Sequence, residues 1–202
     1  MVFFLNQTLV KILYFYRYRK KSNSIGKQPF LETGVYKNRT TKNTNMVPII
    51  TREEIQEIQE KWASGLVGIG KSYIEKRNFQ KAAAEHVQKL YGYGEETVLF
   101  KPTMANNKQF RKTFEAALSY FIGGNPEFPN DVGFALKPWK DVRFENSDFI
   151  LKERYAIAMG NYFFTDYEGS ETKVEYTFGF YRDENQKLKI HLHHSSVPYK
   201  RT

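Results

Sequence analysis

One change of period constrains this chain more than any other feature. From Thr51 to Phe121 the apolar residues recur every three to four positions, and from about Val132 to Val197 they alternate. Helices first and a run of strands afterwards mark an α+β fold, because a parallel α/β sheet would interleave the two patterns. The expected architecture is a strongly curved antiparallel sheet wrapped over two to three N-terminal helices, a cone-like shape. Its pocket lies between the concave face and the helices.

Local signals place the elements. Thr51 followed three residues on by Glu54 is a capping box, and Ile55, Ile58, Trp62, Leu66, Ile69 and Tyr73 keep helical spacing behind it. A second helix capped by Asn78 carries Ala82, Ala83, Val87 and Leu90, and ends at Gly92 and Gly94. Residues 97–101 read as a strand stopped by Pro102, and a third helix is expected from Lys108 to Phe121. Six strands are expected after it: Val132–Leu136, Val142–Phe144, Phe149–Arg154, Tyr155–Thr165, Lys173–Tyr181 and Leu188–Val197.

The charge is unevenly placed. Residues 1–45 hold nine Lys/Arg against the single acid Glu32, while the rest of the chain holds 22 Lys/Arg and 21 Asp/Glu. The net charge of +9 therefore belongs almost wholly to the first segment. A duplex-binding surface needs its basic residues on the folded part, so no nucleic-acid partner is expected. The opening apolar stretch is interrupted by Asn6, Gln7 and Lys11, and its positive charges follow rather than precede it. That order argues against a secretory signal and against stable membrane insertion. Residues 1–45 read as a basic, disordered leader or linker, or as an upstream extension with Met46 as the true start. Residues 46–202 read as one domain, and the expected compartment is cytoplasmic. Cysteine is absent, which removes disulfides, thiolate ligands and a Cys nucleophile.

Gly65 to Ser72 matches the phosphate-cradling pattern G-x-x-x-x-G-K-[ST]. The residues before it are charged and helix-periodic, whereas a phosphate loop needs a buried strand there. The match is read as accidental, its glycines letting a helix pack closely. The distinctive segment is instead the last strand, from Lys189 to Tyr199, which holds three of the four histidines. Strand alternation puts His191, His193 and Ser195 on one face and Ile190, Leu192, His194 and Ser196 on the other. His191 and His193 could chelate a divalent ion, but a zinc site needs a third protein ligand. Proton transfer and plain hydrogen bonding are the other chemistries open to them.

H-L-H-H-S-S-V-P at 191–198 resembles the ending of iota-class carbonic anhydrases. In outline it is similar to the H-x-H-x-S-x-x-P ending of the calcium/calmodulin-dependent kinase association domain. V-L-F-K-P-T at 98–103, A-L-S-Y-F-I-G-G at 117–124 and M-G-N-Y-F-F-T-D at 159–166 extend the likeness over roughly Ile50 to Tyr199. The resemblance implies reversible hydration of CO2 to bicarbonate, in a group where some members need no metal. It assigns bicarbonate-holding hydroxyls to Thr103, Tyr120 and Ser195, with Ser196 competing for the third place and Tyr162 a further pocket residue. His193 is then the expected proton acceptor. No cofactor is expected, the alternative being a divalent metal on His191 and His193. The expected partners are CO2 or bicarbonate and further copies of the chain, as a homodimer or larger assembly. The rival function is a non-catalytic ligand-binding or oligomerisation domain of the same fold.

Overall fold

The computed structural model describes residues 48–201, so what was expected of residues 1–45 lies outside the described part. Helix α1 (Arg52–Ile74) begins with the capping box: the Thr51 side chain accepts from the Glu54 N–H, and the Glu54 carboxylate accepts from the Thr51 N–H. Such a cap contributes about 1 kcal/mol. Helix α2 (Phe79–Leu90) is capped by Asn78, and strand β1 (Leu99–Lys101) follows. Helix α3 (Phe114–Ile122) comes next, then a turn of 3-10 helix (Phe134–Leu136). Four long strands complete the domain: β2 (Trp139–Leu151), β3 (Tyr155–Asp166), β4 (Glu171–Arg182) and β5 (Leu188–Ser196). The sheet order is β1-β5-β4-β3-β2, with β1 parallel to β5 and every other pair antiparallel. Among the described residues no helix is long and apolar enough to cross a membrane.

Three expected boundaries are corrected. The third helix starts at Phe114 rather than Lys108, because Thr113 caps it and the Arg111 N–H instead bonds the Phe100 carbonyl at 2.8 Å. Val132–Leu136 is not a strand: Gly133 takes a left-handed φ of 82° and the chain coils into the 3-10 turn. The two strands expected at 142–144 and 149–154 are one, β2, with a bulge at Ser147 that resets the alternation. Asn146 and Phe149 both face the helices as a result. The bulge also brings the backbone onto Gly160, where an added Cβ would lie 2.1 Å from the Glu145 carbonyl.

The phosphate-loop match lies inside the unbroken helix α1. Gly65 is there because His86 packs against it; a Cβ would sit 2.3 Å from His86 Nδ1. Gly70 likewise admits the backbone of Ala135. The core is aromatic and centres on Trp62 of α1, which meets Tyr162, Phe144, Phe164, Phe178, His86 and His193. On the opposite face an apolar row runs straight across all five strands. Leu99 pairs with Leu192, Leu192 with Gly179, Gly179 with Ile157, and Ile157 with Ile150.

Candidate active site

Strand β5 carries the decisive irregularity. Phe180 pairs with Ile190 but Gly179 pairs with Leu192, so His191 is an extra residue, a β-bulge. His191 turns to the outer face, against Tyr181 and beside Gly179, while Ile190, His193 and Ser195 all face the helices. The expected sharing of one face by His191 and His193 is thereby corrected, and with it their joint chelation of a metal. Among the described residues no three His, Asp or Glu side chains group as ligands for an ion.

The bulge also decides which of the two adjacent serines faces inward. Ser195 is 3% exposed on the concave face, whereas the Ser196 hydroxyl donates to Glu175 at 3.1 Å on the outside. Tyr162, in the middle of β3 and 3% exposed, brings its hydroxyl to the same side as the Ser195 and Thr103 hydroxyls, which offset part of the effect of burial on its phenol. Thr103 sits just past β1 and is half-buried, so it forms the rim. Tyr120, in the last turns of α3, lies on the side of Met104, the residue after Thr103, and stacks on Phe134 at 5.4 Å. Hydroxyls from four separate elements thus lie around the same aromatic core, three of them buried and Thr103 at the edge. Burial raises the Tyr120 and Tyr162 phenols far above their ordinary range, so both stay protonated and able to donate at neutral pH. Behind Tyr162, Tyr176 stacks at 5.4 Å, with its phenol pushed up to about 12 by burial. Its hydroxyl is tied to Gln59 and Asn146.

His193 lies in an aromatic box. Its ring stacks on Phe100 at 4.5 Å and meets Phe178 at 4.2 Å. Nδ1 is hydrogen-bonded to the Tyr91 hydroxyl at 2.8 Å, and that hydroxyl accepts the Trp62 indole N–H at 2.9 Å. Sequence reasoning missed Tyr91 and the polar role of Trp62. Tyr91 stands where helix α2 was expected to stop, and Trp62 fits an apolar stripe, so neither gave a signal. It also missed the buried pair Arg111–Asp131, which joins Ser119 of α3 to the loop carrying Thr103.

Burial holds both inward histidines neutral, lowering His193 well below the usual imidazole range and His86 to about 3. An unfolded imidazole titrates near 6.5, so below that pH the unfolded chain binds protons that the native one does not. Stability is therefore full above about 6.5 and falls as pH drops towards the folded values, by about 1.4 kcal/mol per pH unit for each histidine. Urea midpoints should fall between pH 7 and pH 5, above the range where carboxylates dominate. His86→Phe should remove roughly half of that fall. A midpoint that stays constant over this interval would contradict the buried neutral rings.

An open groove of about 920 Å³ lies elsewhere, between α1, α2 and the β4–β5 turn. Its charges are largely paired already, Lys61 with Glu57, Lys89 with Glu85 and Glu54 with Arg182. It offers no converging set of free polar groups to rival the hydroxyl cluster.

Comparisons with known proteins place the chain in a family. The family model described as metal-independent carbonic anhydrase matches residues 53–197. A metal-independent carbonic anhydrase of Nostoc sp. is 42% identical over 153 residues, which is 74% of this chain and 75% of that protein. The crystal structure of a cyanobacterial iota-carbonic anhydrase complexed with bicarbonate superposes with a TM-score of 0.74 at 36% identity. The match covers 85% of this chain and all of that one. A putative calcium/calmodulin-dependent kinase II association domain from Xanthomonas campestris matches at 22% identity and a TM-score of 0.52, over 75% of this chain and 90% of its own. At that identity the likeness speaks for the fold alone.

Proposed function

This chain belongs to the metal-independent carbonic anhydrase family, and we propose that the reversible hydration of CO2 to bicarbonate takes place at the hydroxyls of Thr103, Tyr120, Tyr162 and Ser195. The observation that carries this reading is the burial of Tyr162 and Ser195 side by side with Tyr176 on the concave face, inside an aromatic wall and with Thr103 at its rim. Phe100, Phe121, Phe164 and Phe178 supply apolar surface that suits CO2 and limits bulk water.

The reaction joins the oxygen of water to the carbon of CO2 and releases one proton. Neutral hydroxyls can serve both parts. As donors they stabilise the two CO2 oxygens while negative charge grows on them, and as acceptors they orient the attacking water. Because each hydroxyl is both donor and acceptor, the water proton can pass along the cluster to solvent at the Thr103 rim. His193 suits the accepting role less well, since burial lowers its affinity for a proton. In the reverse direction the same donors hold the three oxygens of bicarbonate. The neighbouring structure with bicarbonate bound supports binding of that ion by this chain.

Stopped-flow CO2 hydration tests the proposal directly. Protein stripped with chelator, and shown by elemental analysis to hold no transition metal, should retain its full rate. A rate that vanishes with chelator and returns with zinc would overturn the metal-free reading, and no rate above buffer would overturn the assignment of catalysis.

We also propose that the chain forms a homodimer through the outer face of the sheet. The row from Leu99 to Ile150 supports this, because it leaves Leu99 and Ile150 more than half exposed with Met159 beside them. Sedimentation velocity should show a species of twice 23.8 kDa. A monomer throughout the micromolar range would remove the proposal.

A further inference from the structure

The buried chain from Trp62 through Tyr91 to His193 can be counted proton by proton. The indole N–H of Trp62 can only donate, so the Tyr91 oxygen accepts it. Tyr91 keeps one proton of its own, because burial holds the phenol well above its usual range. If that proton goes to Nδ1 of His193, every polar atom of Tyr91 and Trp62 is satisfied, and the ring must carry its own proton on Nε2. In the opposite arrangement Nδ1–H donates to Tyr91. The phenolic proton then has no acceptor in a fully buried position, and Nε2 is a bare lone pair. The second arrangement leaves two unsatisfied atoms and the first leaves one, and each such atom costs about 1–3 kcal/mol. The first arrangement wins.

The one remaining atom is the informative one. Nε2 of His193 is buried and has no hydrogen-bond partner among the described residues. His193 shares its face with Ser195, two residues on, and its ring lies on Phe100, three residues before Thr103. A buried N–H without a partner, on the same face as the Ser195 hydroxyl, is a place for an oxygen that the protein itself does not supply.

We propose that Tyr91 is a positioning residue that locks His193 as the Nε2–H tautomer, making the ring a fixed hydrogen-bond donor to the substrate oxygens rather than a base. This rests on the hydration reaction proposed above and adds one donor to the four hydroxyls. Trp62 supports the device from behind, since its N–H holds one side of the Tyr91 oxygen and leaves the phenolic proton to turn towards Nδ1.

The tautomer can be observed directly. Long-range ¹H–¹⁵N correlation spectra of ¹⁵N-labelled protein should show His193, assigned by loss of its signals in His193→Gln, with the proton on Nε2 and an acceptor-type Nδ1. A protonated Nδ1, or a charged ring at pH 7, overturns the proposal whether or not the protein hydrates CO2. In Tyr91→Phe the ring should become a tautomer mixture, with kcat falling about tenfold or more while KM moves less. A shifted tautomer with kcat within twofold of the wild type overturns the donor role. Should Tyr91→Phe fail to fold, a second pair decides. His193→Gln keeps an N–H near the Nε2 position and should retain at least tenfold more activity than His193→Leu; equal losses overturn the donor role. If the wild type itself shows no hydration above buffer, the catalytic reading fails, and the spectra still report on the tautomer.

Discussion

Ser195→Ala should lower the CO2 hydration rate about 10²- to 10³-fold, the loss typical of removing one donor that acts on a developing oxyanion. The residue is buried on the concave face of β5, opposite Tyr176 in the ladder, and its hydroxyl lies to the same side as that of Tyr162. Alanine removes the oxygen and leaves the backbone pairing intact. Thr103 remains on that side of Tyr162, so the cost in stability should stay near 1 kcal/mol. The control is its neighbour. Ser196→Ala deletes an exposed hydroxyl that touches only Glu175, and activity should remain within twofold. Stopped-flow hydration with urea unfolding on both variants separates the outcomes. A damaged Ser196→Ala beside a healthy Ser195→Ala would mean that the strand faces the other way. If Ser195→Ala raised KM with kcat unchanged, the hydroxyl would bind ground and transition states equally and lose its catalytic role.

Asp131→Ala should destabilise the fold by about 3–5 kcal/mol, the usual consequence of leaving one member of a buried ion pair behind. Arg111 and Asp131 are 2% and 5% exposed, and the guanidinium donates to the carboxylate at 2.7 Å. The same carboxylate accepts the Ser119 hydroxyl at 2.7 Å, and Arg111 also lies over the Phe128 ring. Alanine at position 131 strands a cation and a hydroxyl together. Domains of this size hold about 5–15 kcal/mol in total, so the loss should be plain in the urea midpoint. Arg111→Met combined with Asp131→Leu removes both charges and should recover most of it. A single variant as stable as the wild type would show that the pair is solvated. Activity should fall with stability, because the Arg111 N–H on the Phe100 carbonyl and the Tyr93 hydroxyl on the Arg111 carbonyl close the loop that carries Thr103.

Much of the fold follows from short-range pattern, and much of the site does not. The Thr51–Glu54 cap, the Trp62 stripe and the long strands β3, β4 and β5 need only local chemistry and the periods 3.6 and 2. Alternation fails where a bulge intervenes. Counting from Ile190 puts Ser196 inside and counting from His193 puts Ser195 inside; both counts are sound, and the extra residue His191 reconciles them. The same device at Ser147 made β2 read as two strands. Thr103, Tyr120, Tyr162 and Ser195 were legible through resemblance to a family, because the motifs around them are distinctive. Tyr91 and Arg111–Asp131 were not, since their partners lie 102 and 20 residues away and each side chain alone looks ordinary.

The bulge at His191 also implies that the chain can be shortened there. Its neighbours pair in the register of an unbroken ladder once His191 is discounted, so a deletion at that position leaves Ile190, His193 and Ser195 all pointing inward. What disappears is the extra twist that a bulge adds to a strand. A protein lacking His191 would keep its full set of reactive groups yet hold them on a flatter, more open bowl. The curvature of β5 is then a property that one residue adjusts, independent of the inventory of the site.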